Sequence, residues 1–180
     1  MLWSRARGVD PPAEARGVLD LLAGLAEPWQ QGARWPVSPP SGPSPDQFWP
    51  GWCHGNAGYV FLWNLAEATY GDARYAELGE RAASLMRGAT GFSSLCCGTA
   101  GLSYAALNQY RSSGGERWLS LAVALAEHGA ANDELAGDAT TALSLYKGHV
   151  GLALLAAELD CPERAAMPLF ELERAYEPKT

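Results

Sequence analysis

The sequence predicts an all-α protein built as a layered array of helix pairs, and three observations predict it. A glycine motif occurs three times, as CHGNAGYVFLWNLA, CCGTAGLSYAALNQ and YKGHVGLALLAAEL, with first glycines Gly55, Gly98 and Gly148. The copies lie 43 and then 50 residues apart, a period that suits two helices and their connections. Apolar helical stretches alternate with amphipathic ones, and no segment carries a convincing strand pattern. At 180 residues, 48% hydrophobic and 18% charged, the chain suits one domain with its own core.

The first element is a helix over about Ala13 to Ala26, where Val18, Leu21, Leu22 and Leu25 recur at helical spacing. Prolines at 36, 39, 40, 43, 45 and 50, with serines and Gly42 among them, exclude a helix and a central strand, so an irregular loop delivers the first motif. Each motif then opens a helix of low charge. Tyr59, Leu62, Trp63 and Ala66 line one face of the first; Leu102, Ala105 and Ala106 mark the second; Leu152, Leu155, Ala156 and Leu159 mark the third. Amphipathic outer helices follow the first two, through Tyr75, Leu78, Ala82 and Leu85, then through Trp118, Leu121, Ala122 and Leu125. The glycines of Gly-x-Ala-Gly predict close backbone approach and left-handed conformations where the chain turns into the helix. Residues 1–45 read as part of a preceding repeat plus the Pro/Ser-rich loop, and 46–180 as the repeats bearing the site, all one domain.

Composition excludes several function classes. A formal charge of -7 and only 13 scattered Lys and Arg leave no basic surface for nucleic acid. No apolar run approaches the ~18 residues of a membrane span. Met1-Leu2-Trp3-Ser4-Arg5 lacks the apolar core of a secretory signal, which predicts a cytoplasmic protein. Four cysteines in a reducing compartment read as ligands or free thiols, and a disulfide between the neighbours Cys96 and Cys97 would be strained.

In the register of the repeats Cys53 lies opposite Cys96 and His54 opposite Cys97, while the third copy has Tyr146 and Lys147 there. Cys53, Cys96 and Cys97 can therefore present three soft thiolates to one zinc ion, which suits zinc's ligand preference. Three protein ligands leave a tetrahedral zinc one open position, the mark of a catalytic site. The ligands fall just before inner-helix N-termini, where the helix dipole favours thiolate. The competing reading is three inert core thiols. His54 is either a proton donor, a packing histidine, or a fourth ligand that closes a structural site. Trp49 and Trp52 wall a substrate pocket or pack on the core. Cys161 reads as a plain thiol at a helix end, His128 and His149 have weaker claims, and Lys147 reads as a solvated turn lysine in preference to a carboxylate or carbonyl partner.

GWCHGNAG, SLCCGTAG and SLYKGHVGLALLAAEL resemble the three C-terminal repeats of the lanthionine synthetase cyclase family, the LanC-like proteins, over about residues 46 to 172. The resemblance implies an α/α toroid of inner and outer helices, here an incomplete ring whose open edges seek an upstream domain or self-associate. It implies Zn2+ at Cys53, Cys96 and Cys97, a peptide or small-thiol substrate, and a lantibiotic or lanthipeptide cyclase reaction in which a thiol adds across dehydroalanine or dehydrobutyrine. The family's Asp and His acid/base residues belong to an N-terminal half, so the expected ring begins part-way. The alternative is a non-catalytic thiol-binding or scaffold module, such as the accessory region of a kinase-fused relative. Trp49, at the fourth position before Cys53 where many cyclases carry Arg, favours that alternative; the intact three-Cys set favours the cyclase. A toroid glycosidase would need paired carboxylates, which the inner motifs do not offer.

Overall fold

The computed structural model describes residues 1–38, 47–86, 92–132 and 142–171. Among these the chain forms α1 (Leu2–Arg7), α2 (Ala13–Gly24), β1 (Glu27–Trp29), β2 (Gly32–Arg34), α3 (Asn56–Tyr70), α4 (Ala73–Ala83), α5 (Thr99–Ser113), α6 (Glu116–Ala131) and α7 (Val150–Glu158). The protein is all-α apart from the small antiparallel hairpin β1–β2. The boundary expected near residue 45 and the prolines at 39, 40, 43 and 45 lie outside the described residues. No described helix is long and apolar enough to cross a membrane.

The expected alternation of inner and outer helices is present. Helix α5 is buried over nearly its whole surface from Thr99 to Leu107, as an uncharged helix of Ala, Gly, Ser and Leu must be. It packs between α3 and α6, while α4 covers α3 and α7 leans on α5 and α6. The amphipathic helices α4 and α6 bury Tyr75, Ala82, Trp118, Ala122 and Leu125 and turn their charges outward. Their approach is close: Ser103 Oγ donates to the Ala122 carbonyl at 2.7 Å, and a Cβ on Gly129 of α6 would strike Thr99 Oγ1. The inner helices α3 and α5 each end on a left-handed glycine, Gly71 at φ 63° and Gly114 at φ 69°, where only a residue without Cβ avoids strain.

The structure corrects three expectations. The β1–β2 hairpin was not expected, because three-residue strands are too short to show alternation. It is held by tertiary contacts: a Cβ on Gly32 would strike the Arg81 carbonyl and Leu85 of the α4 segment, and Arg34 lies between the rings of Trp29 and Phe48 at 3.7 and 3.6 Å. On α2 the buried residue is Leu19, whereas Val18 and Leu21 are 54% and 66% exposed, so the core-facing stripe is rotated from the expected one. In α7, Ala156 is exposed while Leu152 and Leu155 are buried.

Trp35 joins the N-terminal segment to the repeats. Its ring stacks on Tyr59 with centroids 4.3 Å apart, and its indole N–H donates to the Leu22 carbonyl at 2.8 Å. Asn56, the first residue of α3, donates to the carbonyls of Ala33 and Ala82 at 2.7 and 3.1 Å. One buried amide thus satisfies acceptors from the hairpin and from α4, both costly to leave unpaired. At the far end, Glu171 accepts from Arg111 and Asn108, each at 2.7 Å, and from the Met167 amide at 2.9 Å. These bonds fasten the segment after α7 across α5.

The second glycine of each motif meets a main-chain obstacle, which gives the first prediction. A Cβ on Gly101 would strike the Leu95 carbonyl, whereas one on Gly17, midway along α2, meets nothing within 4 Å. Gly101→Ala should lower the unfolding free energy by about 3 kcal/mol, the upper range for overpacking, because backbone yields less than a side chain. Gly17→Ala should raise it by about 0.5–1 kcal/mol. Urea denaturation of both variants checks the contrast.

Candidate metal centre

The three motifs fold into the same loop. In each, the residue after the first glycine donates its N–H to a carbonyl seven residues earlier: Asn56 to Trp49 at 3.2 Å, Thr99 to Phe92 at 2.9 Å and His149 to Ala142 at 3.0 Å. In each, the second glycine lies against the carbonyl six residues earlier, Gly58 on Trp52, Gly101 on Leu95 and Gly151 on Leu145. This close approach is why glycine is required. The expected left-handed conformation is absent, since Gly55 and Gly98 have φ of -158° and -111°. The loops are therefore rigid carriers that end in helix N-termini, and the thiols ride on them.

The Cys96 peptide ties the carriers together. Its carbonyl accepts from the amides of Trp52 and Cys53 at 3.1 and 3.4 Å, and its own N–H donates to the Tyr146 carbonyl at 3.0 Å. Gly51 completes the contact, because a Cβ there would lie 3.1 Å from Cys97 Cα and 3.2 Å from the Cys96 oxygen. As a result Cys53, Cys96 and Cys97 place their sulfurs within 4.8 Å of one another. The Cys53–Cys97 separation is 3.7 Å and the Cys96–Cys97 separation 3.3 Å.

These distances fit a metal. Two thiolates on tetrahedral zinc, each with a bond of about 2.3 Å, lie about 3.8 Å apart. The Cys53–Cys97 pair is already there, and the Cys96–Cys97 pair needs to open by only about half an ångström. All three donors are soft, which favours zinc among common divalent ions.

The electrostatics are uneven across the cluster. Cys53 is exposed as a residue, yet its sulfur turns toward its neighbours. Partial burial first, then the adjacent Cys96 and Cys97 thiols, push its pKa up to about 12. Burial also raises Cys97, helped by Cys96. Cys96 goes the other way: burial opposes ionisation, but hydrogen bonds from Cys53, Cys97 and Lys147 outweigh it and bring the thiol below its ordinary value. Of the three thiols, Cys96 is the one whose ionised form its neighbours favour.

Lys147 is the exposed turn residue that its sequence suggests, and it also meets the thiols. Its ammonium donates to Cys96 Sγ at 3.3 Å and faces Cys97 Sγ at 3.9 Å. The hydrogen bond to Cys96, then the charges of Cys97 and Cys96, hold its pKa above the usual lysine value. The signal was present in the alignment of the copies, which sets Lys147 opposite Cys97. The other candidates are placed as follows. His54 is exposed in the turn that carries Cys53. Trp49 is 51% exposed, whereas Trp52 packs against Tyr146 and Phe170 at 5.6 and 5.3 Å. Cys161 is an exposed free thiol just beyond α7, and His128 bonds to Asn132 on the outside of α6. A cavity of about 440 Å³ lies toward the opposite ends of α3 and α5, lined by Phe61, Asn64, Asn108, Arg111 and Phe170 among others; neither Trp49 nor Trp52 lines it.

The model of the lanthionine synthetase C-like protein family matches residues 15–172, nearly the whole chain, and the chain belongs to that family. No curated protein matches it. The match begins in α2, upstream of the first repeat, and so includes the hairpin and Trp35 that anchor the first loop.

The charge distribution predicts an order of reactivity. In metal-free protein carrying Cys161→Ser, iodoacetamide at pH 7.5 should modify Cys96 before Cys53, because the thiolate is the nucleophile and a thiol near pKa 12 stays protonated. Peptide mass mapping over a time course reads the order.

Proposed function

We propose that this lanthionine synthetase C-like protein holds one Zn2+ through Cys53, Cys96 and Cys97 and activates a thiol, from a peptide or a small molecule, for addition to dehydroalanine or dehydrobutyrine. The observation that supports this most strongly is the convergence of three sulfurs from two loops cross-bonded through the Cys96 peptide. A structural site would require a fourth protein ligand; among the described residues the cluster is Cys53, Cys96 and Cys97 alone. Bound zinc supplies a Lewis acid that lowers the pKa of an incoming thiol, while three anionic ligands keep that sulfur electron-rich.

The chain's own residues account for the remaining work. The substrate sulfur forms a bond to the β-carbon of the dehydro residue, the carbon–carbon double bond becomes single, and the α-carbon takes a proton. The thiol's proton is released in exchange, so ring closure by a thiol of the same peptide leaves the mass unchanged, and a small-molecule thiol adds its whole mass. We assign His54 as the proton source, since it is exposed beside Cys53 in the same turn and an imidazole can donate a proton to the reacting carbon. Trp49 offers an exposed aromatic surface next to the same turn, suited to the apolar part of a peptide. A cytoplasmic site of action fits free thiols that must remain reduced.

Two measurements test this reading. Elemental analysis should find one zinc per chain, lost in the Cys96→Ala/Cys97→Ala double variant; stoichiometry that stays near one would overturn the ligand assignment. Thiol addition to a dehydroalanine peptide should slow by about 10²-fold in His54→Ala with zinc content unchanged. A protein that binds zinc and thiol without any addition would instead be the thiol-binding module, the second reading that the same cluster supports.

A further inference from the structure

We propose that Lys147 is a positioning residue of the thiolate cluster, whose ammonium offsets the excess negative charge of three thiolates on one zinc and so admits a fourth, substrate thiolate. The inference rests on the zinc reading above and deepens it. Three thiolates and Zn2+ carry a net charge of -1, and a fourth thiolate brings this to -2. A second anion entering an already anionic centre is opposed by Coulomb repulsion, strongly so where protein displaces water. An ammonium 3.3 Å from Cys96 Sγ and 3.9 Å from Cys97 Sγ returns the sum to -1.

The lysine is built into this place rather than draped over it. The preceding residue, Tyr146, accepts the Cys96 N–H at 3.0 Å, gives its hydroxyl to the Pro168 carbonyl at 2.6 Å and packs on Trp52. The Lys147 amide donates to Ser144 Oγ at 3.1 Å, and the Gly148 amide to the Ser144 carbonyl at 2.9 Å. The third loop repeats the backbone hydrogen bonding of the first two, and its side chain at the Cys97 position reaches the sulfurs of Cys96 and Cys97. Where the other copies carry a ligand or its neighbour, this copy carries a counter-charge. That gives the motif without cysteines a task in the same site. An N–H···S bond also withdraws electron density from Cys96, which leaves the incoming sulfur as the more nucleophilic one.

The test uses the cobalt-substituted protein, whose visible spectrum reports the fourth ligand, titrated with 2-mercaptoethanol, a thiol without other charge. Lys147→Met and Lys147→Gln should each take up one cobalt and bind the thiol about tenfold more weakly, a change of about 1.4 kcal/mol. Lys147→Arg should stay within about threefold of the parent, the charge being kept and the geometry not. Because Lys147 is exposed, sodium perchlorate near 1 M should weaken thiol binding to the parent and should not weaken it in the Met variant, where only repulsion remains to be screened, since the screening length falls to about 3 Å. A merely structural lysine would show no such salt dependence. Equal affinity in the Met variant overturns the inference. So does tighter binding there, which would mean that the amine itself closes the site, or a loss seen with 3-mercaptopropionate alone, which would make Lys147 a carboxylate contact. A parent that takes up no cobalt overturns the zinc reading itself and this inference with it.

Discussion

The site depends on the backbone of one residue, Cys96. The Cys96 carbonyl receives two amides from the first loop and its N–H reaches the third, so three segments separated by 43 and 50 residues in sequence are registered on a single residue that also bears a thiol. The N–H and the carbonyl of Cys96 lie on either side of its Cα, so the backbone of this residue sets where the first and third loops meet the second. The sulfurs meet because the main chain is pinned. No side chain needs to bend far to bring them together.

The helices behind the loops make that pinning possible. Helix α5 carries its loop from the centre of the core, and its small residues let α3 and α6 approach on either flank. Each loop's second glycine then presses on its own carbonyl six residues back, so the loop cannot drift from the helix it introduces. Trp35 and Asn56 brace the first loop from the N-terminal side, and Glu171 braces the far end of α5 against the segment after α7. Burial of these polar side chains is tolerable because each is hydrogen-bonded.

Much of this was legible in the sequence, and the exceptions have physical causes. Threefold recurrence of Gly-x-x-Gly before apolar runs located the inner helices, and the alignment of Cys53 with Cys96 located the sulfurs. The family resemblance read from GWCHGNAG and SLCCGTAG agrees with the family match over residues 15–172. The hairpin was not legible, since strands of three residues have no period and are stabilised from outside by α4, Trp29 and Phe48. On α2, Val18 and Leu21 looked like core residues because periodicity shows that a helix has an apolar stripe but not which part of it meets a neighbour. Of the two expectations for the motif glycines, close backbone approach is met at Gly58, Gly101 and Gly151, while the left-handed conformation is not. Lys147 was set aside as a solvated lysine because its partners, Cys96 and Cys97, are 51 and 50 residues away.

The stiffness of the three loops also bears on how a metal would be captured. Many small zinc domains are unordered without metal, and much of their binding free energy goes into organising the chain. Here backbone bonds among the loops hold the donors together, so much of the configurational entropy of assembling a chelate is lost as the helices pack. Affinity at such a preorganised cluster is governed by what remains: stripping protons from three crowded thiols and bringing their charges together. Metal uptake then becomes chiefly an acid–base equilibrium, with the polypeptide acting as a rigid macrocycle.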